Sequence, residues 1–300
     1  METSISSKPL QTLKETAGTL ENPHIRQWKE DGGKVVGYYC SSFPQELITA
    51  AGLLPFRMRA TGSKGTELSD SCFSTINCSF VRHSFNCVLK GDLDFLDGMV
   101  VLNSCDNVRR VFDHWVRRMP TPFVRMMSLP RKAQEAQVEW FREELSGLKS
   151  EMEKHFRIEI TDDAILKAIE QHNLTRSLQR KLYEFRKLSK PPITGADPLA
   201  VTVAGTAMPV TQYNQLLSGL LEDLAGAEGI SDHSARVMVM GGELDNPGLL
   251  EVIEGQGALV VTDSLCFGSR MFWKDIDLNN ADPLTALSRY YVIDRPSCPR

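Results

Sequence analysis

Seven cysteines, Cys40, Cys72, Cys78, Cys87, Cys105, Cys266 and Cys298, are the side chains of this 300-residue chain with the widest chemical range. A thiolate is both a nucleophile and a soft metal ligand. Four of them, Cys72, Cys78, Cys87 and Cys105, crowd into one stretch, yet their gaps are not the C-x-x-C pairs of a zinc ribbon. A metal held by them would draw its ligands from separate loops. The plain alternative for each is a small, buried apolar side chain. Cys105 follows the apolar run Gly98–Leu102 and opens a helical stretch, a position that favours the thiolate. Cys78, taken alone, reads as a buried helix cysteine. Glu46 falls in the first turn of another predicted helix, where a carboxylate suits the dipole. Ser41 and Ser42 precede that helix as caps. Arg109, Arg110 and Arg270 either face water or meet phosphate, and His83 and His114 read as helix-surface residues. Gly241-Gly242 before a helix is a weak phosphate signal, since the full G-x-G-x-x-G pattern is absent, and no G-x-S-x-G elbow occurs.

The elements that must position these residues alternate. The predicted strands are Val35–Cys40, Leu53–Met58, Gly98–Leu102, Phe123–Met127, Arg236–Met240 and Ala258–Thr262. Helices are predicted from Gln45 to Ala51, over 72–90, from Asp106 to about Arg118, from Asn246 to Glu254 and from Leu284 to Val292. Alternation of this kind argues for parallel α/β sheets, and ligands of such sheets bind at the carboxyl ends of the strands. Four segments hold that place: Cys40–Ser42, Asn103–Asp106, Met240–Glu243 and Asp263–Arg270. Between the two α/β stretches, residues 131–190 are denser in charge than the 24% of the whole chain. There Val138, Phe141, Leu145, Leu148, Met152 and Phe156, and then Leu174, Leu178, Leu182, Phe185 and Leu188, step by three and four. This spacing predicts two amphipathic helices with solvated charged faces, the second ended by Pro191-Pro192. The expected organisation is an N-terminal α/β domain over 1–130, a helical segment over 131–230, and over 231–300 a second α/β unit with only two clear strands, fewer than an independent sheet normally has.

Composition narrows the class. The chain is 42% hydrophobic, which excludes a disordered or collagen-like protein. No apolar run approaches the roughly 20 residues of a membrane span. A net charge of -4, from 34 basic and 38 acidic residues, gives no reason to expect nucleic acid or an anionic membrane as partner. The first residues lack a secretory signal, so a cytoplasmic protein without disulfides is expected.

Four landmarks carry a resemblance. They are Pro44–Ile48 running on to Ala50-Ala51-Gly52; Cys78–Arg82; Asp94–Gly98 with Cys105-Asp106, Arg109 and Trp115; and Val261–Asp263 through Cys266, Gly268, Ser269 and Arg270, followed by Arg289–Tyr291 and Cys298-Pro299. In that order the chain, from about Val35 to Arg300, resembles the D-component subunits of the 2-hydroxyacyl-CoA dehydratase family, shared with benzoyl-CoA reductase subunits. The resemblance implies two parallel-sheet, Rossmann/flavodoxin-like units with the charged helical segment between them and the second unit incomplete. It implies a [4Fe-4S] cluster on three cysteines, with Cys78 and Cys105 matching the first two ligands. The third family cysteine falls past residue 300 and family members are longer, so a shortened chain or a lost ligand is expected. The implied partners are an acyl-CoA substrate, a related D-component subunit and an ATP-hydrolysing iron–sulfur activator that delivers one electron. The implied reaction is loss of water from a 2-hydroxyacyl-CoA through a ketyl radical, in an oxygen-sensitive enzyme. In that setting Glu46 is the candidate acid/base, and Ser41, Arg109 and Arg270 are candidates to hold the substrate. Cys40 and Cys266 lie near the same strand ends without a metal role. The alternatives are a benzoyl-CoA reductase-like or double-cubane reductase subunit, and a non-catalytic α/β partner without a cluster.

Overall fold

The computed structural model describes residues 3, 5–279 and 281–296. Strands β1 (Val35–Tyr38), β2 (Leu54–Arg57), β3 (Gly98–Asn103) and β4 (Phe123–Ser128) form one wholly parallel sheet in the order β2-β1-β3-β4. The register sets Tyr38 beside Arg57, Val36 beside Gly98 and Asn103 beside Ser128. The chain winds outward in opposite directions from β1 and β3, so the crevice between their carboxyl ends is the switch point where ligands bind such sheets. Strands β5 (Ala235–Met240) and β6 (Ala258–Ser264) pair in parallel in a second sheet, with an irregularity at Val237/Met238. The α/β class expected from alternation is the one observed.

A buried strand needs apolar residues on both faces, and the first sheet has them in strict alternation. Val36, Tyr38, Val100 and Leu102 pack on Phe141, Leu145, Leu148, Ile165 and Leu287, from the helices Glu135–Phe156, Asp162–Phe185 and Pro283–Arg289. Val35, Met99 and Val101 pack on Val81, Phe85, Val111 and Trp115, from the helices Ser79–Lys90 and Asp106–Arg118. A third cluster joins the helices Lys8–Ala17, Ala196–Ala204 and Val210–Ala225 to Val260 of β6. By contrast, Met238 and Met240 of β5 and Leu249 and Val252 of the following helix leave large apolar surface in water.

Four expectations are corrected. Residues 72–90 are not one helix: the helix starts at Ser79, because Cys78 has extended backbone and Asn77 closes a turn on Ser74. β1 stops at Tyr38, because Cys40 takes a left-handed φ of 77° and turns the chain. In the helix Asp162–Phe185 the buried face is set by Ile165, Ile169, His172, Arg176, Gln179 and Tyr183 as well as Leu178 and Leu182, while Leu174 and Leu188 are about half exposed. Arg176 and Arg186 are accordingly not on a solvated face; both are buried, each beside a carboxylate. This helix ends at Phe185, ahead of Pro191-Pro192, by tightening into turns at Arg186, Lys187 and Leu188. The predicted helix 284–292 is an α-helix that loosens into a π-turn over Tyr290–Asp294.

Candidate functional site

Cys78 and Cys105 occupy the same kind of place. Each is the cap residue at the start of a helix, Ser79–Lys90 and Asp106–Arg118, and each has extended backbone. The amide of Asn107, two residues past Cys105, accepts the Cys78 N–H at 3.0 Å, which ties the two helix starts together. Cys78 is exposed and Cys105 half-buried. Thiols are the residue type that ligates iron–sulfur clusters, and these two stand at tethered helix starts. Among the described residues no group of three or more His, Cys, Asp or Glu side chains that could hold a metal occurs, so Cys78 and Cys105 have no third such donor grouped with them there. Cys298 lies outside the described residues. Cys87 and Cys266 are buried, and burial pushes both thiols up.

Glu46 is fully buried at the start of the helix Gln45–Ala50. Arg176 donates to its Oε1, and the Tyr291 hydroxyl donates to its Oε2 at 2.9 Å. Burial, the largest single influence, would raise this carboxyl; the Arg176 guanidinium, His172 and the hydrogen bonds it accepts together outweigh burial and hold it below the usual range. Burial and the Glu46 charge together push the Tyr291 phenol well up, so it remains a donor. His172 shares a hydrogen bond with Thr49 at 2.9 Å, and burial drives its imidazole down to about 4. Both Glu46 oxygens are therefore occupied in a buried ion-pair network that clamps the β1 end to the long helix and to the π-turn.

A narrow polar chamber opens beside this network, lined among others by Tyr38, Arg57, Arg176, Tyr290 and Arg295. Arg57 crosses from one sheet to the other. It donates to the Cys266 carbonyl at 2.7 Å and to Glu243 at 2.8 Å, and its guanidinium lies 3.8 Å from the Phe267 ring centre. Arg270 is buried and bonds Ser264 Oγ at 3.2 Å, with Cys266 Sγ at 3.6 Å. Ser41 is gripped by Arg295, which donates to its carbonyl and, at 3.1 Å, to its hydroxyl. Arg109 is exposed, 3.9 Å from Asp106. The Asp263–Arg270 segment is held from within: Asp263 accepts from Tyr183 at 2.5 Å, Arg186 at 3.1 Å and the Ser269 N–H at 2.9 Å. A Cβ at Gly268 would collide with Asp263 Oδ1, so only glycine fits that turn.

On the other side of Arg295, at the switch point, lies a cleft of about 380 Å³. Ser42, Asn103 and Ser104 line it from the ends of β1 and β3, residues 129–133 from beyond β4, and Tyr291–Ile293 with Arg295 from the π-turn. π-turns recur at functional sites.

The structure thus brings Ser41, Glu46, Arg57, Arg176, Tyr291 and Arg295 together, ties the helix start at Cys78 to the one at Cys105 through Asn107, and leaves Arg109 on the surface. Sequence reasoning missed Arg57, Arg176 and Arg295. A signal existed for two of them. Arg57 interrupts an otherwise apolar predicted strand. Arg176 continues the four-three spacing of Ile165, Ile169 and His172 toward Gln179 and Tyr183. Nothing local marks Arg295.

Comparison with known proteins extends this picture. The family described as 2-hydroxyglutaryl-CoA dehydratase, D-component, matches residues 40–300. The chain is 28% identical to a benzoyl-CoA reductase subunit of Thauera aromatica over 280 residues, covering 91% of this chain and 72% of that one. It is 29% identical to the (R)-2-hydroxyglutaryl-CoA dehydratase beta subunit of Acidaminococcus fermentans over 266 residues, 85% and 69% of the two chains. It is 25% identical to the (R)-phenyllactyl-CoA dehydratase beta subunit of Clostridium sporogenes over 262 residues, 84% and 68%. With the match running from the turn after β1 through both sheets, the chain belongs to the 2-hydroxyglutaryl-CoA dehydratase D-component family.

Proposed function

We propose that the chain is a cytoplasmic subunit of a 2-hydroxyacyl-CoA dehydratase, working beside a related D-component subunit and supplied with electrons by an ATP-hydrolysing iron–sulfur activator. The reaction is removal of water from a 2-hydroxyacyl-CoA after one-electron reduction to a ketyl radical. The observation that carries this reading is the Cys78–Asn107 hydrogen bond, which puts two thiols at neighbouring helix starts in a member of this family. A [4Fe-4S] cluster bound through Cys78 and Cys105 would supply redox capacity and a Lewis-acidic iron.

The chain's own residues do the positioning. Asn107 fixes the spacing of the two helix starts. Arg295 holds the Ser41 hydroxyl in one orientation, so Ser41 meets a ligand without further ordering. Glu46, ionised and doubly bonded, keeps Arg176 and Tyr291 in place. Glu46 serves as acid/base when Tyr291 swings its hydroxyl off Oε2, which frees that oxygen to take a proton. Arg270 holds the turn at Cys266, and Arg109 presents its charge one helical turn from Cys105.

The test is anaerobic co-expression with the related subunit, followed by iron and acid-labile sulfide assays on the wild type, Cys78→Ala and Cys105→Ala. Both variants should lose iron; unchanged iron in Cys105→Ala overturns the assignment. The similarity to a benzoyl-CoA reductase subunit over 91% of the chain supports a second reading, reduction of an aromatic or other acyl thioester. A product two electrons more reduced than its substrate, with no loss of water, would establish that reading in place of the first. A colourless protein without iron–sulfur absorbance would establish a non-catalytic partner.

A further inference from the structure

Two buried thiols, Cys40 and Cys266, take no part in the chemistry proposed above. Cys40 sits in the turn after β1 and Cys266 in the loop after β6. Independent contacts bring these segments face to face. Arg57 of β2, whose register partner on β1 is Tyr38, donates to the Cys266 carbonyl at 2.7 Å. Tyr39 and Phe267, the neighbours of the two cysteines, both pack on the Phe80 ring, with ring centres 6.5 and 6.4 Å away. The polar chamber beside Glu46 is lined by Tyr38, Ser41 and Phe43 from the first segment and by Met271 from the second. In keeping with this, a charge on Cys40 is felt at Cys266. Each sulfur accepts an N–H, Cys40 Sγ from the Ser42 amide at 3.4 Å and Cys266 Sγ from Arg270 at 3.6 Å. Arg57 and Arg270 thus stand beside the pair, with Glu243 as counter-charge, and cations next to a thiol favour its reactive form. Cys40 also holds a left-handed φ of 77°, a conformation that strains a residue with a side chain and recurs at functional positions.

From these contacts we infer that Cys40 and Cys266 are a redox-sensitive dithiol, which hydrogen peroxide closes into a disulfide joining the turn after β1 to the loop after β6. The peroxide meets Cys40, the thiol next to the chamber-lining Ser41. An S–O bond forms on Cys40, the O–O bond breaks and a first water leaves, which makes Cys40 a sulfenic acid. Burial and then Glu243 push the Cys266 thiol up, which suits it to the second step, where the electrophile is delivered beside it. The Cys266 sulfur attacks the Cys40 sulfur, an S–S bond forms, the S–O bond breaks, and the oxygen leaves with the thiol proton as a second water. Two thiols and one peroxide become one disulfide and two waters, and two electrons pass from sulfur to oxygen. Two equivalents of a low-molecular-weight thiol reverse the change and leave as their own disulfide. The consequence is mechanical. Arg57 holds these segments together by charge and hydrogen bond; the disulfide would hold them covalently, with Ser41 on one side of the link and Arg270 on the other. The inference goes beyond the reaction proposed above and needs neither a cluster nor an acyl-CoA.

The experiment is thiol mapping of the full chain. The protein is treated with hydrogen peroxide, unfolded in iodoacetamide and digested with trypsin without reductant. Cleavage at Lys34, Arg57, Arg236 and Arg270 puts the two cysteines in separate peptides, 35–57 and 237–270, each with a single cysteine. Wild type should give these peptides joined, at their summed mass less two hydrogens, and the alkylated fraction of both should fall in parallel. Dithiothreitol before alkylation should abolish the joined species. Cys87, also buried, should stay alkylated as in the untreated chain. Cys40→Ser should lose the joined species and leave Cys266 a free thiol. Cys266→Ser should lose it and leave Cys40 as a sulfenic acid that dimedone traps. The wild-type map carries the test by itself if a serine variant fails to fold. Full alkylation of both cysteines after peroxide, a bridge from either one to a different cysteine, or oxidation of Cys87 as fast as the pair each overturns the inference. Iron enters no readout, so a failed cluster assignment and a failed dithiol assignment give different results.

Discussion

At the scale of single residues, the Glu46–Arg176–Tyr291 network dominates. Removing one partner of a buried pair leaves a charge stranded in low dielectric, at a cost of about 3–5 kcal/mol. Arg176→Met should therefore destabilise the protein by that amount in urea unfolding, and Tyr291→Phe by about 1.5–3 kcal/mol for a lost bond to a charged group. His172 adds a pH dependence of its own. Its folded-state pKa, near 4, lies below that of an exposed histidine. The unfolded chain thus takes up a proton first as pH falls, and stability drops between about pH 6.5 and 4 by up to about 3 kcal/mol. Glu46, depressed by Arg176, contributes stability that is present above its unfolded pKa and is lost only at lower pH, as its folded pKa is passed. His172→Gln should flatten the upper part of the acid limb and leave the lower part; an unchanged upper limb would refute the assignment. The sequence placed Glu46 correctly in its first helical turn. It did not show that both oxygens are occupied, because Arg176 and Tyr291 are 130 and 245 positions away.

At the scale of elements, the strands were legible to within two residues at each end, because alternating or continuous apolar runs bounded by turns are local signals. The helix Asp162–Phe185 shows the limit of such signals. Its leucines supplied a plausible frame, but burial follows a different one, in which His172, Arg176 and Gln179 are inside because each finds a specific partner. Hydrophobicity alone does not register a satisfied polar side chain. The turn after β6 is fixed as rigidly as any element. Asp263 is held by three donors and is unable to retreat, so the methyl of Gly268→Ala has nowhere to go. Overpacking of this kind costs about 1–3 kcal/mol. A fall of several degrees in the melting temperature is expected, and an unshifted melt would show that the turn yields.

For the whole molecule, Arg57 is the side chain that joins β2 to the segment between the two sheets. Its charge is met by Glu243, and its donors end on the Cys266 carbonyl. Arg57→Leu should strand Glu243 and weaken the coupling of the two sheets. Hydrogen exchange should then speed up selectively around β6 and residues 241–268, with the β1–β3–β4 strands still protected. Uniform loss of protection would indicate global unfolding instead. No helix among the described residues is long and apolar enough to cross a membrane, as the absence of long apolar runs led one to expect. The pairing of distant sheets through arginine was not legible, since composition and period carry no information on which cation reaches which carboxylate. The cleft was legible only in part. Strand ends marked Asn103–Asp106 and Cys40–Ser42 as its borders, but its basic rim comes from a loop past β4 that has no motif.

The grip of Arg295 on Ser41 spans 254 positions, and this has a consequence for biosynthesis. All four strands of the first sheet leave the ribosome long before Tyr291 and Arg295 are made. Until then the loop after β1 has no guanidinium to close it and Glu46 lacks its phenol. The nascent chain can bury its sheet early, but the loop after β1 receives its clamp last, once translation has passed residue 295.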